Sequence, residues 1–270
     1  MWLRAVCGEI MIGSIIGDIA GSCYEFRGIK TTDLDLFPQE AEITDDSILS
    51  IATAEVLLKG GSYQRMYQQF GRLYPDPMGG YGARFSRWIE EKDPLPYNSW
   101  GNGAAMRAGP IGLAKNTLEE VLAEAEKSAI VSHDHPEGIN GAQASALAVF
   151  LARKGQSKED IRFQMTERFG YDLTRTVDEI RPHYSFNESC QGTVPEAIMA
   201  FLDSEDFEQA IRLAISLGGD ADTLACITGG IAEAFYKRIP EEMIELALSK
   251  LPAGLRPTVD QFREKYPIVG

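Results

Sequence analysis

Two short acidic stretches, Thr44-Asp45-Asp46-Ser47 and Gly218-Gly219-Asp220-Ala221-Asp222-Thr223, each place two carboxylates and a threonine hydroxyl at the start of an apolar run. Threonine and aspartate start helices well, because their side-chain oxygens accept from backbone N–H groups that the first turn leaves unpaired. Two unrelated N-caps would therefore explain each stretch taken singly. Together they make an oxygen-only donor set, which suits hard divalent cations, Mg²⁺ or Mn²⁺, rather than zinc. Four carboxylates brought together without metal repel one another and raise their own pKa values, and a pair of ions removes that cost. Asp220 and Asp222 point to nearly opposite faces of a regular helix. They can converge only on irregular backbone, which Gly218 and Gly219 make accessible.

The elements that must position these groups read as helices. Ile48, Leu49, Ile51, Ala52, Val56 and Leu57 follow the three-four spacing of a buried helical stripe, as do the runs Ile139–Leu151, Ala210–Leu217 and Ile227–Phe235. Strong helix formers fill Leu118–Ser128 and Glu241–Lys250, with Pro240 suited to a first turn. No segment sustains an apolar/polar alternation, so the fold expected is all-α, a compact single-domain multi-helix bundle spanning residues 1–270. Proline and glycine cluster at Tyr74–Gly82, Asp93–Gly112 and Leu251–Pro257. The stretch Asp93–Gly112 is expected to form one long loop with a binding role.

The chain has 270 residues, 26 Lys plus Arg against 40 Asp plus Glu, and a formal charge of −14. Such a surface repels nucleic-acid backbones and anionic membranes. No apolar run reaches the roughly 18 residues of a spanning helix, and the first residues read poorly as a secretory signal. Cys7, Cys23, Cys190 and Cys226 are scattered, without a CxxC pair, which fits a reducing cytoplasm. Three histidines, His133, His135 and His183, are too few and too dispersed for a histidine-rich binuclear hydrolase. There is no phosphate-binding GxxxxGK[ST] loop and no GxSxG nucleophile elbow. Gly13 and Gly17 read as close helix-packing positions.

In chain order, the pieces Gly13-Ser14-Ile15-Ile16-Gly17-Asp18-Ile19-Ala20-Gly21-Ser22 with Glu25-Phe26, Thr44-Asp45-Asp46, Gly101-Asn102-Gly103-Ala104-Ala105-Met106-Arg107 with Pro110-Ile111-Gly112, Ser132-His133 with Glu137-Gly138, and Gly218-Gly219-Asp220-Ala221-Asp222-Thr223 resemble the ADP-ribosylglycohydrolase family, the group that includes the dinitrogenase-reductase-activating glycohydrolase. The resemblance covers nearly the whole chain. Family members usually begin at the position of Met11, so residues 1–10 are expected to be an N-terminal extension or a misread start.

The resemblance implies an all-α fold and a binuclear Mg²⁺ (or Mn²⁺) centre. Thr44, Asp45 and Asp46 would serve one side and Asp220, Asp222 and Thr223 the other, with Asp222 as the bridge. It implies hydrolysis at the anomeric carbon of an ADP-ribosyl group on a protein or a small conjugate. Glu25 matches the catalytic acid, with Asp45 or Asp46 as the alternative proton handler. Substrate contacts fall on Gly101, Asn102, Gly103, Ala104, Ala105 and Met106, and on His133. They extend to Tyr184 and Phe186 in a loop that the family directs toward the site. An acidic protein without a basic patch can hold a diphosphate through backbone N–H groups, and the Gly101–Met106 segment suits that task. Linkages cleaved in the family include arginine N-glycosides, serine O-glycosides and O-acetyl-ADP-ribose, with ADP-ribosyl-arginine as the default reading here. The rival readings are an all-α Mg²⁺-dependent nucleotide pyrophosphatase, whose acids sit at ExxE spacing within helices, and a non-catalytic ADP-ribose binder.

Overall fold

The helical periodicity is realised along the chain. In a computed structural model describing residues 11–267, the helices are α1 (Ile12–Ser22), α2 (Asp45–Lys59), α3 (Tyr63–Leu73), α4 (Ala83–Glu90), α5 (Gly103–Met106), α6 (Gly109–Ala114), α7 (Leu118–Ala129), α8 (Pro136–Arg153), α9 (Lys158–Phe169), α10 (Val177–Ile180), α11 (Cys190–Asp203), α12 (Phe207–Ser216), α13 (Ala221–Tyr236), α14 (Glu241–Lys250) and α15 (Arg256–Lys265). Among the described residues no strand forms, and one isolated antiparallel bridge pairs Gly101 with Ser189. The expected extension, residues 1–10, lies outside the described residues. No helix among them is long and apolar enough to cross a membrane.

Local chemistry sets the helix ends. Thr44 caps α2 by accepting from the Asp46 N–H, and the same oxygen-to-amide device starts α7, α9 and α10 as full capping boxes. Pro240 is the N-cap of α14 rather than a member of its first turn. The stretch Asp93–Gly112 departs from the expected single loop, because it contains α5 and the start of α6. Helices of four and six residues are too short to display a period, and their glycines disguise them further.

At the centre lies α1, buried along its full length from Ile12 to Ser22. Gly13, Gly17 and Gly21 recur every fourth residue, and they meet Ala221, Ala225 and Gly229 of α13 at the same interval. The two backbones touch directly: a Cβ added to Gly13 would stand 2.5 Å from the Gly229 carbonyl oxygen, and one on Gly17 would overlap the Ala225 carbonyl. This seam carries Asp18 on one helix and Asp222 on the other, so close packing delivers both carboxylates to one end of the same interface. Gly17→Ala is expected to cost about 3 kcal/mol, because the obstructing atoms are backbone and cannot rotate aside. Urea denaturation of the variant beside the wild type measures this.

Candidate active site

The α2 and α13 N-termini open into a cleft of about 840 Å³. Asp220 is the N-cap of α13, at φ −70° and ψ 83°, while Asp222 lies inside the first turn, and Gly218 before them has φ +66°. The irregular entrance expected at the two glycines is thus what lets Asp220 and Asp222 face one point. Carboxylate oxygens of Glu25, Asp220 and Asp222 lie within 4.8 Å of one another. Asp46 joins from α2, where its Oδ1 accepts a 3.4 Å hydrogen bond from Thr223 Oγ1. Asp45 lines the same cleft.

Asp46 Oδ2 and Asp222 Oδ1 are buried without any hydrogen-bond partner. Unsatisfied carboxylate oxygens in a protein interior are costly, and a hard cation is the partner that an all-oxygen set selects. The residues present therefore fit a divalent metal. Burial raises the Asp46 and Asp222 pKa values well above the ordinary carboxylate range. The charges of Asp18, Asp45 and Asp220 add to this at Asp46, and those of Asp220 and Asp46 at Asp222. Asp45 is raised as well, by burial and by Asp18, Asp220 and Glu25. Glu25 is pushed up to about 7, first by burial and then by Asp220, Asp18 and Glu188.

Asp18 organises the α2 side of the cluster, a role hidden in the sequence by its place in a glycine-rich packing motif. Fully buried, it accepts from the Thr44 N–H at 3.0 Å, Thr44 Oγ1 at 2.6 Å and the Ser47 N–H at 3.1 Å, and also from Ser47 Oγ. Thr44 consequently spends its hydroxyl hydrogen on Asp18 and one lone pair on its own helix cap. Asp18 itself is raised to about 6, burial outweighing the hydrogen bonds that oppose it.

Across the cleft, a polar chain fixes His133. Buried Arg107 donates through Nη2 to the Ser128 carbonyl oxygen at 3.0 Å and to Ser132 Oγ at 2.9 Å, and its guanidinium lies 4.0 Å over the Tyr67 ring. Ser132 Oγ stands 2.8 Å from His133 Nδ1. A hydroxyl that accepts from Arg107 can still donate, and Ser132 gives its hydrogen to Nδ1 in the tautomer that carries the imidazole hydrogen on Nε2. Burial, with Arg107 nearby, holds the His133 pKa well below its usual value, so the ring is neutral. Its Nε2 edge faces the 101–103 turn: a Cβ on Gly103 would be 3.3 Å away. Asn102 in that turn donates from Nδ2 to Asp220 Oδ2 at 2.7 Å and to Thr193 Oγ1 at 3.2 Å, tying the turn to the acidic cluster.

The ADP-ribosylglycohydrolase family model matches residues 6–266. The chain belongs to the ADP-ribosylglycohydrolase family. ADP-ribosylhydrolase ARH3 of Bos taurus is 29% identical, over 86% of this chain and 85% of its own. ADP-ribosylarginine hydrolase Tri1 of Serratia proteamaculans is 23% identical, over 87% of this chain and 73% of its own. A solved structure described as an ADP-ribosylglycohydrolase-related protein complex superposes with a TM-score of 0.67 at 26% identity, covering 94% of this chain and 95% of that one. The chain is thus a glycohydrolase whose general activity is removal of ADP-ribose.

The structure of this ADP-ribosylglycohydrolase sorts the expected contact residues. Gly101, Asn102, Gly103, Met106, His133 and Phe186 line the cleft. Ala104 and Ala105 are completely buried and lie behind it. Tyr184 turns away as well: its hydroxyl donates to the Gly192 carbonyl oxygen at 2.9 Å and its ring packs over Gly219, bracing the turn before Asp220. Four amides of the Gly101–Met106 segment are engaged within the protein, Gly101 with Ser99 Oγ, Asn102 with the Glu188 carbonyl, and Ala105 and Met106 with the Asn102 carbonyl. Phe186 stacks on Phe26, ring centroids 5.6 Å apart, and both residues are exposed beside Glu25 and Glu188. Gly79 lies in the expected proline–glycine cluster Tyr74–Gly82, and Glu188 and Thr193 in the stretch Arg181–Thr193 that the resemblance directs toward the site, but their individual contacts arise only through tertiary structure. Gly79 stands so close to Glu25 that a Cβ there would be 2.7 Å from Oε2.

Proposed function

We propose that this enzyme is a divalent-metal-dependent hydrolase of ADP-ribosyl-arginine, with two Mg²⁺ ions (Mn²⁺ as substitute) held by Asp45, Asp46, Asp220, Asp222 and the hydroxyls of Thr44 and Thr223. The observation that carries the metal reading is the pair of buried, unbonded oxygens, Asp46 Oδ2 and Asp222 Oδ1. The bound ions supply Lewis acidity and fixed positive charge at the distal ribose.

The protein's own groups divide the remaining work. Hydrolysis forms a bond between a water oxygen and the anomeric carbon and breaks the bond from that carbon to the leaving nitrogen. Glu25, whose carboxylate stands beside Asp220 and Asp222 in the cleft, takes the water's proton on Oε and returns it to the leaving group. His133 offers its Nε2 hydrogen to a ribose hydroxyl or phosphate oxygen. Asn102 keeps Asp220 aimed into the cluster. Glu25→Gln is expected to lower kcat by about a hundredfold or more, with metal binding retained. Full turnover by that variant removes Glu25 from the role.

Support for arginine comes from the cleft mouth. A guanidinium is a flat cation that stacks on aromatic faces and is drawn to carboxylates. Phe26 and Phe186, with Glu25 and Glu188 beside them, offer both features. A serine O-glycoside or an acetyl ester gains nothing from that charge. The Tri1 relative carries ADP-ribosylarginine in its name. The deciding experiment is turnover of ADP-ribosyl-arginine, ADP-ribosyl-serine peptide and O-acetyl-ADP-ribose, each with and without Mg²⁺. Release of ADP-ribose from the arginine conjugate alone, lost on chelation, is the expected result. Preference for either oxygen-linked substrate overturns the arginine assignment, and metal-independent turnover overturns the ion centre.

A further inference from the structure

The cleft lining carries Glu25, Asp45, Asp46, Glu188, Asp220 and Asp222 but, among the described residues, just two cations, Arg84 and Arg107. A diphosphate entering such a cleft needs positive charge away from the carboxylates. The Gly101–Met106 segment has little left to give, four of its amides being engaged within the protein, and His133 is neutral. We propose that Arg84 is the residue that grips the diphosphate of the ADP-ribosyl group, a role that rests on the functional reading above.

Arg84 is exposed and sits in the first turn of α4, whose N-cap Gly82 provides no side-chain acceptor for the unpaired amides there. Gly82 and Ala83 line the cleft with it, so the positive end of the helix faces the same space. Arg84 is held loosely. Nη1 donates a long 3.4 Å bond to the Tyr97 carbonyl oxygen, and the guanidinium lies 5.7 Å from the Tyr97 ring centroid. Among the described residues no carboxylate pairs with it, in a chain holding 40 acids.

An independent observation points to an anion in the same place. Arg107 lines the cleft, is completely buried, and leaves Nε and Nη1 without hydrogen-bond partners. A buried cation lacking a counter-charge raises the local potential and favours a negatively charged ligand. The wall between the two arginines is continuous: Arg84 lies on Tyr97, the Tyr97 ring is 5.7 Å from that of His133, and Ser132 Oγ joins His133 Nδ1 to Arg107 Nη2. With the distal ribose at the carboxylates, the diphosphate follows along this wall, within reach of a fork that can take two phosphate oxygens at once.

Calorimetry of the metal-loaded protein with ADP-ribose and with adenosine, at low and moderate salt, tests the proposal. Arg84→Ala is expected to weaken ADP-ribose binding about tenfold, to flatten its salt dependence, and to leave adenosine binding unchanged. Arg84→Lys recovers part of the loss, since it keeps the charge but not the fork. In turnover the alanine variant raises KM by a similar factor while kcat stays within about twofold, because the contact is the same in ground and transition states. Its melting temperature matches the wild type, which separates binding from folding. Unchanged ADP-ribose affinity in Arg84→Ala overturns the role of Arg84, as does a parallel loss of adenosine, which would assign the guanidinium to the base. Wild-type protein that binds no ADP-ribose overturns the functional reading and this proposal with it.

Discussion

Replacing Asp222 with asparagine is expected to lower kcat by about 10³-fold and, without divalent ions, to raise the melting temperature at neutral pH. The two effects share one cause. Asp222 is 4% exposed, and burial together with Asp220 and Asp46 disfavours its charged form. In the metal-free protein at neutral pH, folding must either bury that charge among its neighbours or protonate it. Asparagine has the same shape without the charge, so the cost disappears. A gain of about 1 kcal/mol corresponds to roughly 3 °C for a domain of this size. Saturating Mg²⁺ reverses the order, because the wild type gains ion-binding energy that the variant has largely lost. Thermal melts in chelator and in Mg²⁺, paired with turnover, read both halves. A variant no more stable than the wild type in chelator would falsify the idea that the carboxylates repel.

The second large effect is a change in the sign of the pH dependence. Glu25 is raised from 4.5 to about 7 and Asp18 from 3.8 to about 6, and burial is the leading cause in both. A carboxyl with a raised folded-state pKa holds its proton in a range where the unfolded chain has released it. Stability from these groups is therefore fully present below their unfolded values and is lost as pH climbs through the folded ones. The metal-free enzyme should lose stability between about pH 4 and 7. Divalent ions compete with those protons, so their stabilisation grows over the same interval and approaches about 2.7 kcal/mol at a hundred times Kd. Melting temperatures from pH 4 to 8, with and without Mg²⁺, should diverge toward the alkaline end. Parallel curves would show that the cluster does not exchange protons for cations.

Much of the architecture was legible because its signals are local. The caps at Thr44 and at the capping boxes lie within four residues of the amides they serve, and the long stripes of α2, α8 and α13 show their period in the sequence. The acidic entrances were legible too, since Gly218 and Gly219 announce the break that Asp220 and Asp222 need. Residues whose partners lie far along the chain were not. Asp18 reads as one polar residue within a packing motif until Thr44 and Ser47 arrive from α2. Arg84 looks like an ordinary surface arginine before Tyr97 folds beneath it. Tyr184 was expected at the substrate, yet the bare backbone of Gly219 gives its ring a better seat.

The glycine seam also has a consequence for biosynthesis. It joins α1 to a helix that leaves the ribosome some two hundred residues later, at Ala221–Tyr236. Until α13 emerges, Asp18, Asp45 and Asp46 lack the Asp220 and Asp222 carboxylates that complete the acidic cluster. The proposed ion site therefore cannot form, and ADP-ribose cannot be cleaved, before α13 has been made.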